Sequence, residues 1–224
     1  MTDSSDKPKS TKNADNRPAN DGPGRMEAIR NHYEPRLRKY RRNFEILDWA
    51  SPKSQQARFA VLAGQVDLQG KTLLDVGCGL GDLWTFLKDR GIRPAYTGLD
   101  ILETMIQAAR KRHPDARFLA ADVFAKDVFP PGAFDVVFCS GALNLNLGNN
   151  RQFLPHAIAR LLSLASQCLV FNLLHRRAAF QEDTYAYSHP QDVLAILQPL
   201  GCQPQVLDDY LHNDFTVICR KAPQ

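Results

Sequence analysis

Hydrophobic and polar positions change in regular blocks along most of this chain, and the blocks predict strands and helices in alternation. Short apolar runs that suit buried strands occupy 72–76, 96–99, 117–121, 134–138 and 168–174. Between most of these runs, apolar residues recur at spacings of three and four, which is the pattern of an amphipathic helix. Strands that alternate with helices predict a parallel sheet with right-handed crossover connections.

Two further strands close the chain, near 205–207 and 215–220. The connection between them contains the turn signal Asn213-Asp214 and is too short for a crossover helix. These two strands should therefore be antiparallel to each other. The prediction is an α/β fold with a seven-stranded, mostly parallel sheet, an antiparallel last strand and helices on both faces.

The N-terminal part of the chain has a different composition. Residues 1–24 contain almost no apolar side chains, so we expect a disordered tail. Residues 25–67 carry two helical patterns; Pro35 should kink or split the first, and Ser51 suits the cap of the second. Both helices precede the first strand, where an α/β fold can use them as a lid over the strand edge. The main domain then covers 68–224.

The net charge of +4 is unevenly distributed, because 68–224 carries as many acidic as basic side chains. The excess lies largely in one N-terminal basic cluster, formed by Arg36, Arg38, Lys39, Arg41 and Arg42. Such a cluster can contact phosphates, although on a polar helix it is more often a solvated face. A nucleic-acid partner is therefore an alternative and not the main interpretation.

The five cysteines are scattered and include no Cys-x-x-Cys pair. This argues against a zinc site or a disulfide framework and suits a reducing cytoplasm. The N-terminal residues are polar and lack the apolar core of a signal peptide. No apolar run approaches the roughly 20 residues that would span a bilayer. We expect a cytoplasmic protein without a membrane partner or a bound metal, and the sequence indicates no oligomeric state.

The strand at 72–76 runs directly into three glycines at alternating positions, Gly77, Gly79 and Gly81. Glycine allows a tight turn and lets a ligand approach without meeting a Cβ. A dinucleotide fingerprint would need its last glycine where this chain has Asp82, and that carboxylate would repel a pyrophosphate. No Gly-Lys-Ser/Thr follows, so a P-loop is excluded as well. The turn predicts a site for a nucleoside ligand without phosphate.

Three carboxylates mark the ends of three successive predicted strands, Asp75, Asp100 and Asp122. Asp100 can accept hydrogen bonds from both hydroxyls of a ribose, and Asp122 can accept one from an adenine amino group. Asp75 can order the glycine turn or reach the ammonium of the ligand through water. Together with the glycines, these acids indicate S-adenosylmethionine as the cofactor.

At this point the chain resembles the class I S-adenosylmethionine-dependent methyltransferases over roughly residues 50–220. The resemblance lies in Leu74-Asp75-Val76-Gly77-Cys78-Gly79-Leu80-Gly81, Thr97-Gly98-Leu99-Asp100, Ala121-Asp122-Val123 and Phe134-Asp135-Val136-Val137. It implies a Rossmann-like fold and makes 68–224 the catalytic domain. It also implies cofactor contacts at Arg58, Asp75, Gly77, Cys78, Gly79, Gly81, Asp100, Ile101, Asp122, Val123 and Ser140.

In such enzymes an arginine before the first strand often holds the methionine carboxylate, and Arg58 has that position. A surface position on a helix is an equally good expectation for Arg58.

No motif in the chain specifies the acceptor. After the fourth strand, amino-group methylases of bases and amides carry Asn/Asp-Pro-Pro-aromatic, whereas this chain has Ser140-Gly141-Ala142-Leu143-Asn144. Asn144, Tyr185 and Tyr187 are candidate substrate residues, and His175 after the fifth strand is either a general base or a solvated loop histidine. We expect a methyltransferase that acts on a small molecule. The alternatives are an RNA methyltransferase and a non-catalytic nucleoside-binding module.

Overall fold

A mixed sheet lies at the centre of the computed structural model, which describes residues 23–125 and 128–222. Within these residues the strands are β1 (Thr72–Val76), β2 (Ala95–Asp100), β3 (Arg117–Ala120), β4 (Phe134–Ser140), β5 (Ala165–His175), β6 (Tyr187–Ser188), β7 (Gln203–Leu207) and β8 (Asp214–Arg220). Their order across the sheet is β3-β2-β1-β4-β5-β8-β7, and β6 pairs with the end of β5.

The strand directions confirm the predicted sheet. All neighbours from β3 to β5 are parallel, whereas β8 is antiparallel to both of its neighbours, β5 and β7. The seven predicted strands are therefore present, with the last one reversed. The short β6 is an addition that the sequence does not predict, because two residues are too few to show an alternating pattern.

The helices of the described residues are α1 (Pro23–Lys39), α2 (Asn43–Ile46), α3 (Pro52–Gln65), α4 (Asp82–Asp89), α5 (Glu103–Arg112), α6 (Asn150–Leu164) and α7 (Pro190–Leu197), and a 3-10 turn (Gln198–Leu200) follows α7. The predicted tail covers 1–24. Its residues 1–22 lie outside the described part of the chain, and Pro23 and Gly24 belong to α1. The first helix continues through Pro35 and is not split there.

Side-chain caps begin two of the helices, α3 and α7. The Ser51 hydroxyl accepts a hydrogen bond from the Ser54 N–H at 3.1 Å, so the predicted cap of α3 is confirmed. Ser188, in contrast, is the last residue of β6, and His189 caps α7 by accepting from the Gln191 N–H through Nδ1 at 3.2 Å. Ser188 does not cap α7, because its pairing with His175 of β5 keeps it in the sheet.

The apolar core lies on both faces of the sheet. On one face, Val137 and Leu169 pack with Ile158 of α6 and Val193 of α7. On the other face, the neighbouring strand residues pack with α3, α4 and α5 through Phe59, Leu62, Leu83, Leu87 and Ile106. Successive residues of the central strands point to opposite faces, so strands that are apolar throughout need helices on both sides.

A third apolar cluster fixes α1 at one edge of the sheet. Leu80 after β1 and Leu102 after β2 are buried with Ile46 of α2. The apolar stripe of α1, which includes Ile29 and Tyr33, packs against this cluster. The first helix therefore lies where the parallel strands end, and not against either face of the sheet.

In the described residues, no helix combines the length and the apolar character that crossing a membrane requires.

Candidate functional site

A cavity of about 380 Å³ opens at the carboxyl ends of β1, β2 and β4. Its floor includes Val76, Asp100 and Ser140, each at or near a strand end. Side chains of α1, of the connection between α2 and α3, and of α3 line it as well. In open α/β sheets ligands bind at this edge, so the position and the volume both suit a small organic ligand.

The glycine turn after β1 forms one wall of the cavity. Gly77 and Gly79 have positive φ angles of 71° and 53°, and both line the cavity. A Cβ on Gly77 would come within 2.5 Å of the Ala142 Cβ, so only glycine fits this position. Cys78, between them, is buried, and it also lines the cavity.

Gly81 does not reach the cavity, although the sequence suggests a cofactor contact there. It precedes α4 with a φ of 81°, and it is not among the residues that line the cavity. A Cβ at this position would lie 2.8 Å from atoms of His113 and Phe118. The reason for glycine at this position is therefore the left-handed backbone and close side-chain packing.

Asp100 connects the glycine turn to the loop after β2. Its Oδ2 accepts from the Gly79 N–H at 3.0 Å, and its Oδ1 accepts from the Leu102 N–H at 2.9 Å. Burial raises the pKa of Asp100, and the hydrogen bonds to the backbone act in the opposite direction. Each carboxylate oxygen keeps a further lone pair, so the side chain can accept two hydroxyl groups from the cavity.

Asp122 lines the cavity but is already paired. Its Oδ2 accepts from the guanidinium of Arg25 on α1, and its Oδ1 accepts from the Phe124 N–H at 3.0 Å. Arg25 is only 6% exposed and lies over the Phe124 ring, with 4.8 Å to the ring centroid. Sequence reasoning does not find Arg25, because no local pattern relates residue 25 to a strand end 97 residues later.

Asp75 is buried directly below the glycine turn. Its Oδ2 accepts from the Tyr96 hydroxyl at 2.7 Å. Burial raises the pKa of Asp75 to about 7, the charges of Asp100 and Asp82 act in the same direction, and the Tyr96 hydrogen bond opposes them. Near neutral pH this carboxyl group is therefore present in both protonated and ionised forms.

Arg58 is not a surface residue, since its side chain is only 3% exposed and lines the cavity. Its Nε and Nη2 donate to Asp214 Oδ2 at 2.9 and 2.6 Å, and Nη1 donates to the Ser54 carbonyl at 2.7 Å. The guanidinium also lies over the Trp49 ring at 4.6 Å. Two of its five N–H groups remain for a ligand carboxylate.

The remaining predicted cofactor residues, Ile101, Val123 and Ser140, also line the cavity. The Ser140 hydroxyl accepts from Asn172 Nδ2 at 2.9 Å, and the Gly141 N–H donates to Oδ1 of the same side chain at 3.1 Å. Asn172 thereby holds the loop after β4 in place.

The three candidate substrate residues come together at the cavity. Asn144 is buried, and its Oδ1 accepts from the Leu174 N–H at 3.2 Å. Tyr185 donates its hydroxyl hydrogen to Asp48, and the Tyr187 hydroxyl accepts from the Glu182 N–H at 3.0 Å. All three residues belong to the segments that follow β4 and β5.

His175 is not brought to the cavity, which corrects the expectation of a general base at this position. Leu174 lines the cavity, and the next residue of a strand points to the opposite face. His175 is buried beside Phe215 at 5.4 Å between ring centroids, and its Nδ1 accepts from the Arg177 N–H at 2.9 Å. Burial and the charge of Arg177 lower the pKa of His175. It is neither a solvated loop histidine nor a base that faces the cavity.

Asp48 is a cavity residue that the sequence does not indicate. It has a positive φ of 60° and accepts hydrogen bonds from His32 Nε2 at 2.9 Å and from the Tyr185 hydroxyl. The guanidinium of Arg36 pairs with its other oxygen. These partners come from α1 and from the segment before β6, so only the tertiary structure assembles the group.

Asp82 contacts the N-terminal helices. Its carboxylate accepts from Asn43 Nδ2 of α2 and, at 2.9 Å, from Gln55 Nε2 of α3. The residue that argues against a pyrophosphate in the sequence therefore also fixes α2 and α3 beside the glycine turn.

Residues 73–163 match a family model described as a methyltransferase domain. The trans-aconitate 2-methyltransferase of Escherichia coli O139:H28 is 31% identical over 116 residues, which are 51% of this chain and 44% of that protein. The match thus spans a little less than half the length of this curated relative.

Two solved structures show the same fold over most of this chain. Magnesium protoporphyrin IX methyltransferase from Synechocystis PCC 6803, with bound SAH, has a TM-score of 0.65 and 17% identity, and the match covers 88% of this chain and 99% of that chain. The cyclase SpnF has a TM-score of 0.64 and 16% identity, with 90% and 95% covered. At these identities the likeness concerns the fold alone, and a fold can support more than one chemistry.

Proposed function

We propose that this chain belongs to the class I S-adenosylmethionine-dependent methyltransferase superfamily, which its match to a methyltransferase-domain model supports. It binds S-adenosylmethionine in the cavity at the carboxyl edge of the sheet and transfers the methyl group to a small-molecule acceptor. Residues 68–224 form the catalytic domain, and the helices of 25–67 cover the acceptor pocket. A cytoplasmic location stays a prediction from the sequence.

One observation carries this proposal. The positive-φ turn of Gly77 and Gly79 and the carboxylate of Asp100 line the same cavity, joined by a hydrogen bond from Gly79. A nucleoside needs both features, because its ribose hydroxyls require an acceptor and its close approach requires a turn without Cβ atoms.

The residues of the cavity fit the cofactor by the chemistry of their free groups. Asp100 accepts from the ribose hydroxyls, and the remaining N–H groups of Arg58 bind the methionine carboxylate. Asp75 in its ionised form attracts the ammonium group. The adenine amino group shares the Asp122 carboxylate with Arg25.

S-adenosylmethionine supplies a methyl group that is already activated by the sulfonium. The chain therefore mainly has to align the acceptor, and such positioning is worth roughly 7–11 kcal/mol in well-oriented reactions. Asn144, Tyr185 and Tyr187 line the cavity beyond the strand ends and are the residues that position the acceptor.

Two measurements test the proposal. Calorimetric titration of the full chain with S-adenosylhomocysteine should show binding at one site. Incubation with isotope-labelled S-adenosylmethionine and a metabolite extract should yield a labelled small molecule in the mass spectrum. Binding without any transfer would support the non-catalytic nucleoside-binding module, and an absence of binding would contradict the proposed function.

A further inference from the structure

The part of the cavity that lies beyond the strand ends has a chemistry of its own. We name it the acceptor wall and define it by Tyr33, Trp49, Phe180, Glu182, Tyr185 and Tyr187. Five of these side chains are aromatic and one is acidic. They come from α1, from the connection between α2 and α3, and from β6 and the segment before it, which are elements other than those that carry the glycine turn and Asp100.

The cavity offers no unpaired cation to an acceptor. Among the described residues, Arg25 and Arg58 are the only basic side chains that line it. Arg25 pairs with Asp122, and Arg58 pairs with Asp214 at 2.6 Å. The two remaining N–H groups of Arg58 are taken by the carboxylate of the cofactor under the proposed function. A second carboxylate, on an acceptor, would lose its hydration without gaining a free cation, which is unfavourable.

The acidic side chains outnumber the basic ones. They are Asp48, Asp75, Asp82, Asp100, Asp122 and Glu182. Asp48 is neutralised by Arg36, as Asp122 is by Arg25. Asp82 accepts from side-chain amides and Asp100 from backbone N–H groups, so neither is paired with a cation.

Glu182 is the acidic member of the acceptor wall. Its side chain is exposed at the mouth of the cavity, and within the described parts of the chain it forms no ion pair. Burial raises the pKa of Tyr185 most, the hydrogen bond to Asp48 adds to this, and the charge of Glu182 acts in the same direction. Glu182 also lies next to Tyr185 in space, since the Tyr185 N–H donates to the Glu182 carbonyl at 3.0 Å.

The other five members of the acceptor wall are aromatic. Phe180 is 92% exposed and is the large apolar side chain that the described residues leave in solvent. It lies at the same cavity as Glu182, beside Tyr185 and Tyr187. An aromatic face attracts a cation electrostatically and also covers apolar surface, so the wall provides two complementary interactions for one type of ligand.

On these grounds we propose that the acceptor is an organic amine, cationic at neutral pH and carried on an apolar body. Glu182 and the aromatic rings of the acceptor wall select it against carboxylate acceptors. The inference rests on the proposed function and names the class of its substrate. Such an amine differs from the planar amino groups of bases and amides, whose Asn/Asp-Pro-Pro-aromatic motif is absent after β4.

The transfer balances without a further reactant. The ammonium first gives a proton to water at the open mouth of the cavity. The freed nitrogen lone pair forms the bond to the methyl carbon, and the electron pair of the broken carbon–sulfur bond stays on sulfur. A methylated ammonium, which now carries the positive charge, and a neutral thioether result.

Ligands that share one apolar body and differ in the charge of their terminal group test the inference. The first set shares a phenyl body and consists of phenethylamine, phenethyl alcohol and hydrocinnamate. The second set shares an indole body and consists of tryptamine, tryptophol and indolepropionate. Binding to the full chain is measured by calorimetry, with and without saturating S-adenosylhomocysteine. We expect the amine of each set to bind at least about tenfold more tightly than its carboxylate.

Substitutions at two exposed positions, Glu182 and Phe180, distinguish the contribution of charge to binding from that of apolar contact. Glu182→Gln should reduce the preference for the amine over the alcohol by about fivefold, because one unit charge is removed near the mouth. Phe180→Ala should weaken all members of a set by a similar factor, because they share the apolar body. Asp183→Asn is the matched control: it removes the same charge from the next, exposed residue, which does not line the cavity.

Several outcomes would overturn the inference. They are carboxylates that bind as tightly as their amines, a panel in which no amine binds, an unchanged preference in Glu182→Gln, and labelled methyl transfer to trans-aconitate. Titration with S-adenosylhomocysteine alone separates these results from a failure of the proposed function, since it tests the cofactor site without any acceptor.

Discussion

At the residue scale, the carboxylate of Asp100 both binds the backbone and lines the cavity. It holds the N–H groups of Gly79 and Leu102 through its two oxygens, and it faces the cavity. A residue at the end of a parallel strand can do both, because the strand fixes its backbone while the loop leaves its side chain free to turn inward.

We expect Asp100→Ala to weaken the binding of S-adenosylhomocysteine by at least about tenfold, or roughly 1.4 kcal/mol. The ribose hydroxyls lose their acceptor, and the turn at Gly79 loses its anchor. Calorimetry measures the affinity, and thermal unfolding of the same sample checks the fold. Asp209→Ala, which removes an exposed carboxylate outside the cavity, should bind like the wild type. Unchanged affinity in Asp100→Ala would remove this residue from the cofactor site.

The raised pKa of Asp75 makes the stability of the folded state depend on pH in a defined direction. Burial raises its pKa to about 7 from the value of 3.8 that an unburied carboxyl group has. The folded state therefore holds this proton more tightly than the unfolded chain. As the pH rises from about 4 to about 7, ionisation in the unfolded chain lowers the stability of the folded state, and above that range the loss is constant.

Asp75→Asn should consequently be more stable than the wild type at about pH 8, and the difference should become smaller towards about pH 5. Its amide carries no charge to desolvate and still accepts from the Tyr96 hydroxyl. Urea unfolding followed by circular dichroism at both pH values measures the effect. A stability difference that does not change with pH would contradict this assignment.

At the scale of elements, the basic cluster near the end of α1 divides into two parts. Arg36 donates to the Glu45 carbonyl and pairs with Asp48, and Arg42 pairs with Glu45 at 2.7 Å. Arg38 and the other basic residues of the cluster are exposed. Part of the positive charge of the basic cluster is therefore paired within the fold and is not free to contact a phosphate backbone.

We expect the double variant Arg38→Glu, Arg41→Glu to retain the wild-type affinity for a single-stranded RNA oligonucleotide, with the same dependence on salt. An RNA methyltransferase that used this face would lose affinity, and its salt slope would fall by about 1 for each lost phosphate contact. Fluorescence anisotropy over a range of salt concentrations measures both quantities. Lys111→Glu, Arg112→Glu, which reverses two exposed charges at the end of α5, is the matched control.

At the scale of the whole molecule, the pair of Arg58 and Asp214 connects the N-terminal helices to the last strand. The two side chains are 3% and 0% exposed and belong to α3 and β8, which are 156 residues apart. Burial raises the pKa of Asp214, and the charge of Arg58 lowers it. The pair therefore fixes α3 to the last strand of the sheet.

Arg58→Met should lower the free energy of unfolding by about 3–5 kcal/mol, because Asp214 would stay buried without its partner. The double variant Arg58→Met, Asp214→Leu should recover part of this loss, since no unpaired charge remains. Urea unfolding of the wild type and the two variants measures the difference. If the single variant were as stable as the wild type, the pair would not hold α3 to the sheet.

The strands, their alternation with helices and the glycine turn follow from short stretches of sequence. A buried strand such as 168–174 is apolar throughout because both of its faces are covered, and this pattern is visible without any structure. Asp75, Asp100 and Asp122 are found in the same way, because parallel strands that end in acids bring them to one edge. His175 shows the limit of this reasoning, since one step along a strand reverses the direction of the side chain.

What the sequence determined by itself is thus the sheet and the edge at which we propose that a nucleoside binds, because both depend on neighbours within a few residues. Only the tertiary structure decided which charges in the cavity are free. The pairs of Arg25 with Asp122 and of Arg58 with Asp214 join residues that are 97 and 156 positions apart, and no local periodicity encodes such contacts. Since charge pairing affects which ligands a cavity accepts, the acceptor class that we propose rests on the folded chain and not on its motifs.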